Sequence, residues 1–113
     1  MTADELRTST CQPLKGAEHR LAGDEVSALL AVLPGWTLHE GGKLIGRDFR
    51  FDDFLSALSF ANALGWIAER ENHHPDLELG WGYCRVRFYT HDVGGLSRND
   101  FICAAKVDAL LAN

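Results

Sequence analysis

The chain has 113 residues, 46% of them hydrophobic and 24% charged, with three Trp and six Phe; this is enough apolar material for one packed domain and too much for global disorder. Its formal net charge is −5, and its Lys and Arg residues are scattered rather than gathered into a stripe. That argues against a nucleic-acid or anionic-membrane surface and for a small-molecule or protein partner.

No apolar run approaches the ~20 residues of a membrane span. Met1-Thr2-Ala3-Asp4-Glu5 is acidic where a signal peptide is basic and then apolar, so a cytoplasmic location is expected. Cys11, Cys84 and Cys103 are odd in number and form no C-x-x-C pair, which suits reduced thiols. Residues 1–21 show no sustained periodicity and contain Pro13 and Gly16, so a flexible or loosely docked arm is expected there, ahead of one domain over 22–113.

From Gly23 the pattern becomes helical. Asp24 offers an N-cap, Val26, Leu29, Leu30 and Leu33 recur at helical spacing, and Pro34-Gly35 stops the run. Trp36 to Glu40 alternates, Gly41-Gly42 supplies a two-residue turn, and Ile45, Phe49 and Phe51 mark the returning strand. Asp52 can cap a long helix reaching Glu71, with Phe54, Leu55, Leu58, Ala61, Leu64, Gly65 and Ala68 as its apolar stripe and Phe60, Trp66 and Ile67 partly outside it. After Pro75 a short alternating run, the turn Gly80-Trp81-Gly82 and a strong strand from Tyr83 to Thr90 predict a second hairpin. In that strand Cys84, Val86 and Phe88 face one way, and Arg85, Arg87, Tyr89 and His91 the other. Ser97 and Asp100 then open a last helix through the pattern S-x-x-D. The order α-β-β-α-β-β-α predicts an α+β fold: a single four-stranded antiparallel sheet with helices packed on one face. The outward face of the strong strand makes a homo-oligomer the expected assembly.

One stretch stands apart, Glu69-Arg70-Glu71-Asn72-His73-His74-Pro75. If the helix persists, Glu69 shares a face with His73, four residues on, and His74 occupies the last turn. Imidazoles exchange protons near neutral pH, and a neighbouring carboxylate fixes their tautomer, so these residues with His91 suit general acid–base work. Taken singly each member has a bland reading, a helix-dipole partner for His74 or a solvated face for Glu69, and only their conjunction points to a site. A metal site is the sharp rival, since His73, His74, His91 and Glu69 could supply three nitrogens and an oxygen, although adjacent histidines tend to point apart. No G-x-G-x-x-G, P-loop or nucleophile motif is present.

Glu69, His73-His74-Pro75, Trp81, His91 and Gly95-Leu96-Ser97 leading to Asp100 together resemble the pterin-4a-carbinolamine dehydratase family, from about Gly23 to the C-terminus. The resemblance implies a four-stranded antiparallel sheet, dimers or tetramers, and metal-free loss of water from a 4a-hydroxytetrahydropterin to give quinonoid dihydropterin in tetrahydropterin recycling, with no cofactor. By motif position it makes His73, His74 and His91 the catalytic trio and Glu69 an orienting carboxylate. It places the substrate against Glu69, Trp81, Asp100 and the strand Asp76-Leu77-Glu78. Animal members carry arginine just before the residue matched to Asp100, where this chain has Asn99, its arginine being Arg98. Relatives without the activity serve in assembly, including carboxylase assembly, so a non-catalytic assembly or dimerisation role is the alternative.

Overall fold

A computed structural model describes residues 1–112. The amino-terminal helix α1 (Ala3–Thr8) and helix α2 (Gly23–Ala31) lead into strands β1 (Thr37–His39) and β2 (Leu44–Arg50), the long helix α3 (Phe54–Glu71), strands β3 (Asp76–Gly80) and β4 (Tyr83–Phe88), and helix α4 (Arg98–Ala109). The strands form one antiparallel sheet in the order β1-β2-β4-β3. Alternation decides its faces. Ile45, Phe49, Cys84, Val86 and Phe88 are buried against the helices, while Asp48, Arg85, Arg87 and Glu78 form ion pairs on the other face. The fold is therefore α+β with its core on one side of the sheet, as expected. Trp36 closes that core, its ring edge-on to Phe49 at 6.1 Å and tilted against Phe88 at 5.9 Å.

Four local expectations are corrected. The cap of α2 is Ala22, whose N–H donates to Glu25 at 2.9 Å, and Asp24 plays no such part. The first hairpin turns through four residues, because His39 pairs with Leu44, and Glu40, Gly41 and Gly42 all take positive φ. Asp53, not Asp52, caps α3, accepting from the Ser56 N–H at 2.7 Å. The buried stripe of α3 is Ala57, Phe60, Ala61, Leu64, Ile67 and Ala68. Leu55 and Trp66 stay 69% and 80% exposed. The helix is apolar on two sides, so spacing alone cannot say which side meets the sheet.

The amino-terminal segment also departs from the expected arm. Thr2 and Glu5 cap α1 reciprocally, and Leu6 is fully buried in the core. With this helix over it, α4 is covered on both sides. Asn99 to Ala105 are accordingly buried without a break, whereas Leu110 and Leu111 beyond the covered stretch are exposed. Among the described residues no helix is long and apolar enough to cross a membrane.

Candidate active site

Helix α3 ends in a left-handed residue, and that single feature aims the histidines. Asn72 sits at φ 52°, ψ 42°, a conformation Asn tolerates better than most side chains. Its N–H donates to the Glu69 carbonyl and the His73 N–H reaches back to the Ala68 carbonyl at 3.1 Å, the paired bonds of a Schellman C-cap. The chain leaves the helix before His73, so the expected sharing of a face by Glu69 and His73 does not occur. Glu69 instead accepts from His74 Nε2–H at 2.8 Å, on the surface.

His73 turns inward. Its Nε2–H donates to Asp100 Oδ1 at 2.6 Å, with the His73 side chain 11% exposed and that of Asp100 fully buried. The imidazole lies parallel to the Phe88 ring at 6.0 Å. Asp100 sits in the first turn of α4, and its other oxygen accepts from the Ser97 N–H at 2.9 Å and the Thr90 hydroxyl at 2.8 Å. The Ser97 hydroxyl then donates to Thr90 Oγ1 at 2.7 Å. A buried carboxylate with this many donors is satisfied and rigid, and it holds His73 in the tautomer that leaves Nδ1 without a proton.

Thr90 follows β4, bridges to Gly95, and delivers His91 on a single 3-10 turn spanning His91–Val93. The end of β4 thus meets the end of α3. His73, His74 and His91 line one pocket of about 220 Å³ together with Asn72, Tyr89, Thr90 and Asp92. His74 also borders an apolar groove of about 390 Å³ containing Glu69, Trp66, Pro75 and Leu77. His91 and Tyr89 border a third hollow of about 330 Å³, also lined by Glu40 and Lys43. His74 thus lines both the first pocket and the apolar groove, and His91 both the first pocket and the third hollow.

Not every expected contact residue joins it. Asp100 has no surface with which to touch a substrate, and it serves His73 instead. Trp81 is exposed in the β3–β4 turn, the length of β3 or roughly 15 Å from Asp76. Asp76 and Glu78 share the polar sheet face, paired in register with Arg87 and Arg85, and Leu77 lies in the apolar groove. β3 is an edge strand, so its outer backbone groups remain open to a ligand. Asn99 is buried and exchanges two hydrogen bonds with the Gln12 backbone, at 2.7 and 3.1 Å; Arg98 is turned toward Met1. Neither brings a guanidinium to the pocket. From sequence, Ser97 reads only as a helix start, Tyr89 as an outward residue of the strong strand, Asn72 as a member of the charged stretch, and Thr90 as no more than the end of that strand. None is given a place in the site, although the S-x-x-D pattern and the Thr before His91 are visible signals.

This fold and trio define a class of small α+β proteins, and sequence comparison narrows it. The family model described as Pterin 4 alpha carbinolamine dehydratase matches residues 19–110. A protein of Stenotrophomonas maltophilia strain K279a, named "Putative pterin-4-alpha-carbinolamine dehydratase", is 53% identical over 105 residues, 93% of this chain and 90% of its own length. A protein of the same name from Xanthomonas campestris pv. campestris strain 8004 is also 53% identical, over 93% of this chain and 89% of its own. The solved structure of a transcriptional coactivator/pterin dehydratase from Brucella melitensis superposes with a TM-score of 0.78 at 31% identity, covering 82% of this chain and 99% of that one. A pterin dehydratase-like protein identified as a RuBisCO assembly factor in the alpha-carboxysome shares the fold at TM-score 0.60 and 22% identity, over 70% of this chain and 92% of that one. The chain belongs to the pterin-4a-carbinolamine dehydratase family.

Proposed function

We propose that the protein dehydrates a 4a-hydroxytetrahydropterin of the tetrahydrobiopterin type to the quinonoid dihydropterin, in tetrahydropterin recycling. The observation that carries this reading is the convergence of His73, His74 and His91 on one pocket, with His73 anchored by a buried carboxylate. Dehydration removes the proton on N5, expels the 4a-hydroxyl as water and leaves a C4a=N5 double bond. One base and one acid suffice.

His73 acts as the base. Its Nε2–H is committed to Asp100, so Nδ1 takes the N5 proton, and the carboxylate stabilises the imidazolium that forms. His91, exposed at the pocket rim, protonates the departing hydroxyl. His74, braced by Glu69, holds the ring, and the open edge of β3 at Asp76 to Leu79 offers backbone groups to the polar pterin edge. Each proton transfer contributes about 10²–10⁴-fold. Stopped-flow dehydration of synthetic carbinolamine tests the reading, with chelator added to detect a metal requirement. The protein is expected to assemble with copies of itself through the second apolar face of α3, where Leu55 and Trp66 are exposed.

The alternative, a non-catalytic assembly factor, draws on the RuBisCO assembly factor of the same fold. Such a role has no physical need for His91 to share a pocket with His73 and His74, and this favours the enzyme.

A further inference from the structure

The amino-terminal segment carries a feature that proton-transfer chemistry does not use. Residues 1–18 precede the stretch matched by the family model, yet they are fastened to α4. There Cys11 Sγ lies 3.5 Å from Cys103 Sγ, across 92 residues of sequence. The backbone around Cys11 is already held in place. Its N–H donates to Glu71 Oε1 at 2.9 Å, and the next residue, Gln12, is clasped on both sides by the Asn99 amide. Cys103 is fully buried in α4, whereas Cys11 is partly open to solvent. Cys84, the remaining thiol, is buried on β4.

We propose that Cys11 and Cys103 are a redox-active pair that closes to an intramolecular disulfide and fastens the amino-terminal segment to α4. The sulfurs must approach from 3.5 Å to the ~2.05 Å of a bond. Cys11 sits on irregular chain between α1 and the 3-10 turn at Ala17–His19, and its side chain supplies that movement. Hydrogen peroxide is the oxidant. The accessible Cys11 sulfur attacks the peroxide, giving a sulfenic acid and one water. Cys103 sulfur then displaces hydroxide from that sulfenic sulfur, forming the S–S bond and a second water. Two thiols lose two electrons and two protons, and one peroxide becomes two waters. The hydrogen-bonded contact with Cys11, and then burial, raise the Cys103 thiol above its ordinary range, which leaves the accessible Cys11 to react first. A cross-link spanning 92 residues strongly restricts the unfolded chain. This inference is independent of the proposed catalysis.

The test treats the folded, reduced protein with hydrogen peroxide, then denatures it in an alkylating agent and counts free thiols. The count is expected to fall from three to one, a non-reducing digest to yield a peptide joining Cys11 and Cys103, and dithiothreitol to restore all three thiols. The oxidised protein should also melt several degrees higher and resist cleavage within residues 1–18. Cys11→Ser should give no linked peptide and lose thiols at least tenfold more slowly. Retention of three thiols, a disulfide between chains, or oxidation of Cys11 beyond sulfenic acid with Cys103 still reduced would each overturn the proposal.

Discussion

The division of labour among the carboxylates rests on burial. Glu69 lies in solvent, where a pair with His74 is worth little and yields to salt. Asp100 is sealed in, so removing its charge leaves His73 without the partner that fixes its tautomer. His73→Ala should lower the dehydration rate by about 10²–10⁴-fold while the fold survives. Asp100→Asn should lower it by roughly tenfold or more and also cost about 3 kcal/mol of stability, whereas Glu69→Gln should alter either quantity little. Steady-state kinetics beside denaturant unfolding separates the three variants. Much of this site was legible, because His73-His74-Pro75 and His91 form a recognisable pattern. The pairing was not. Spacing joined Glu69 to His73, but the left-handed Asn72 ends the helix one step early and passes that carboxylate to His74. The bond between His73 and Asp100 spans 27 residues, and local sequence carries no trace of it.

At the scale of elements, the C-cap of α3 and the first turn of α4 jointly set the site. Asn72→Val should cost about 1–2 kcal/mol, because a branched side chain resists positive φ, and it should slow dehydration by displacing His73. Asn72→Gly should do neither. Helix α4 is also tied to the sheet through Asp108, which accepts from Trp36 Nε1–H at 3.0 Å and Arg47 Nη1 at 2.9 Å. Burial raises the Asp108 carboxyl above its ordinary 3.8. The folded chain therefore holds that proton more tightly than the unfolded one. This contribution favours the fold below pH 3.8 and fades as pH rises through the raised value. Across that window, urea unfolding should show stability shifting in favour of Asp108→Asn relative to the natural chain. Both hairpins and helices α2, α3 and α4 were readable from period and turn residues, though the first turn is longer than its Gly41-Gly42 pair implies. The working face of α3 was not, since both of its sides are apolar and only the sheet selects between them.

At the scale of the whole molecule, the amino-terminal segment completes the core rather than trailing from it. Its helix has six residues, too short for periodicity to register, and what secures it is one long-range burial. Leu6→Ala should accordingly cost about 2–5 kcal/mol, like other core truncations, as read by chemical unfolding. The exposed face of α3 makes the complementary prediction. Leu55→Glu combined with Trp66→Glu should convert an oligomer to monomers in light scattering and leave the unfolding midpoint of the isolated chain nearly unchanged. The central claim concerns chemistry, and stopped-flow dehydration of synthetic 4a-hydroxytetrahydropterin tests it most directly. The natural protein should accelerate water loss equally with and without chelator, and His73→Ala and His91→Ala should each lose most of that acceleration. No acceleration, acceleration abolished by chelator, or undiminished activity in either variant would contradict the account.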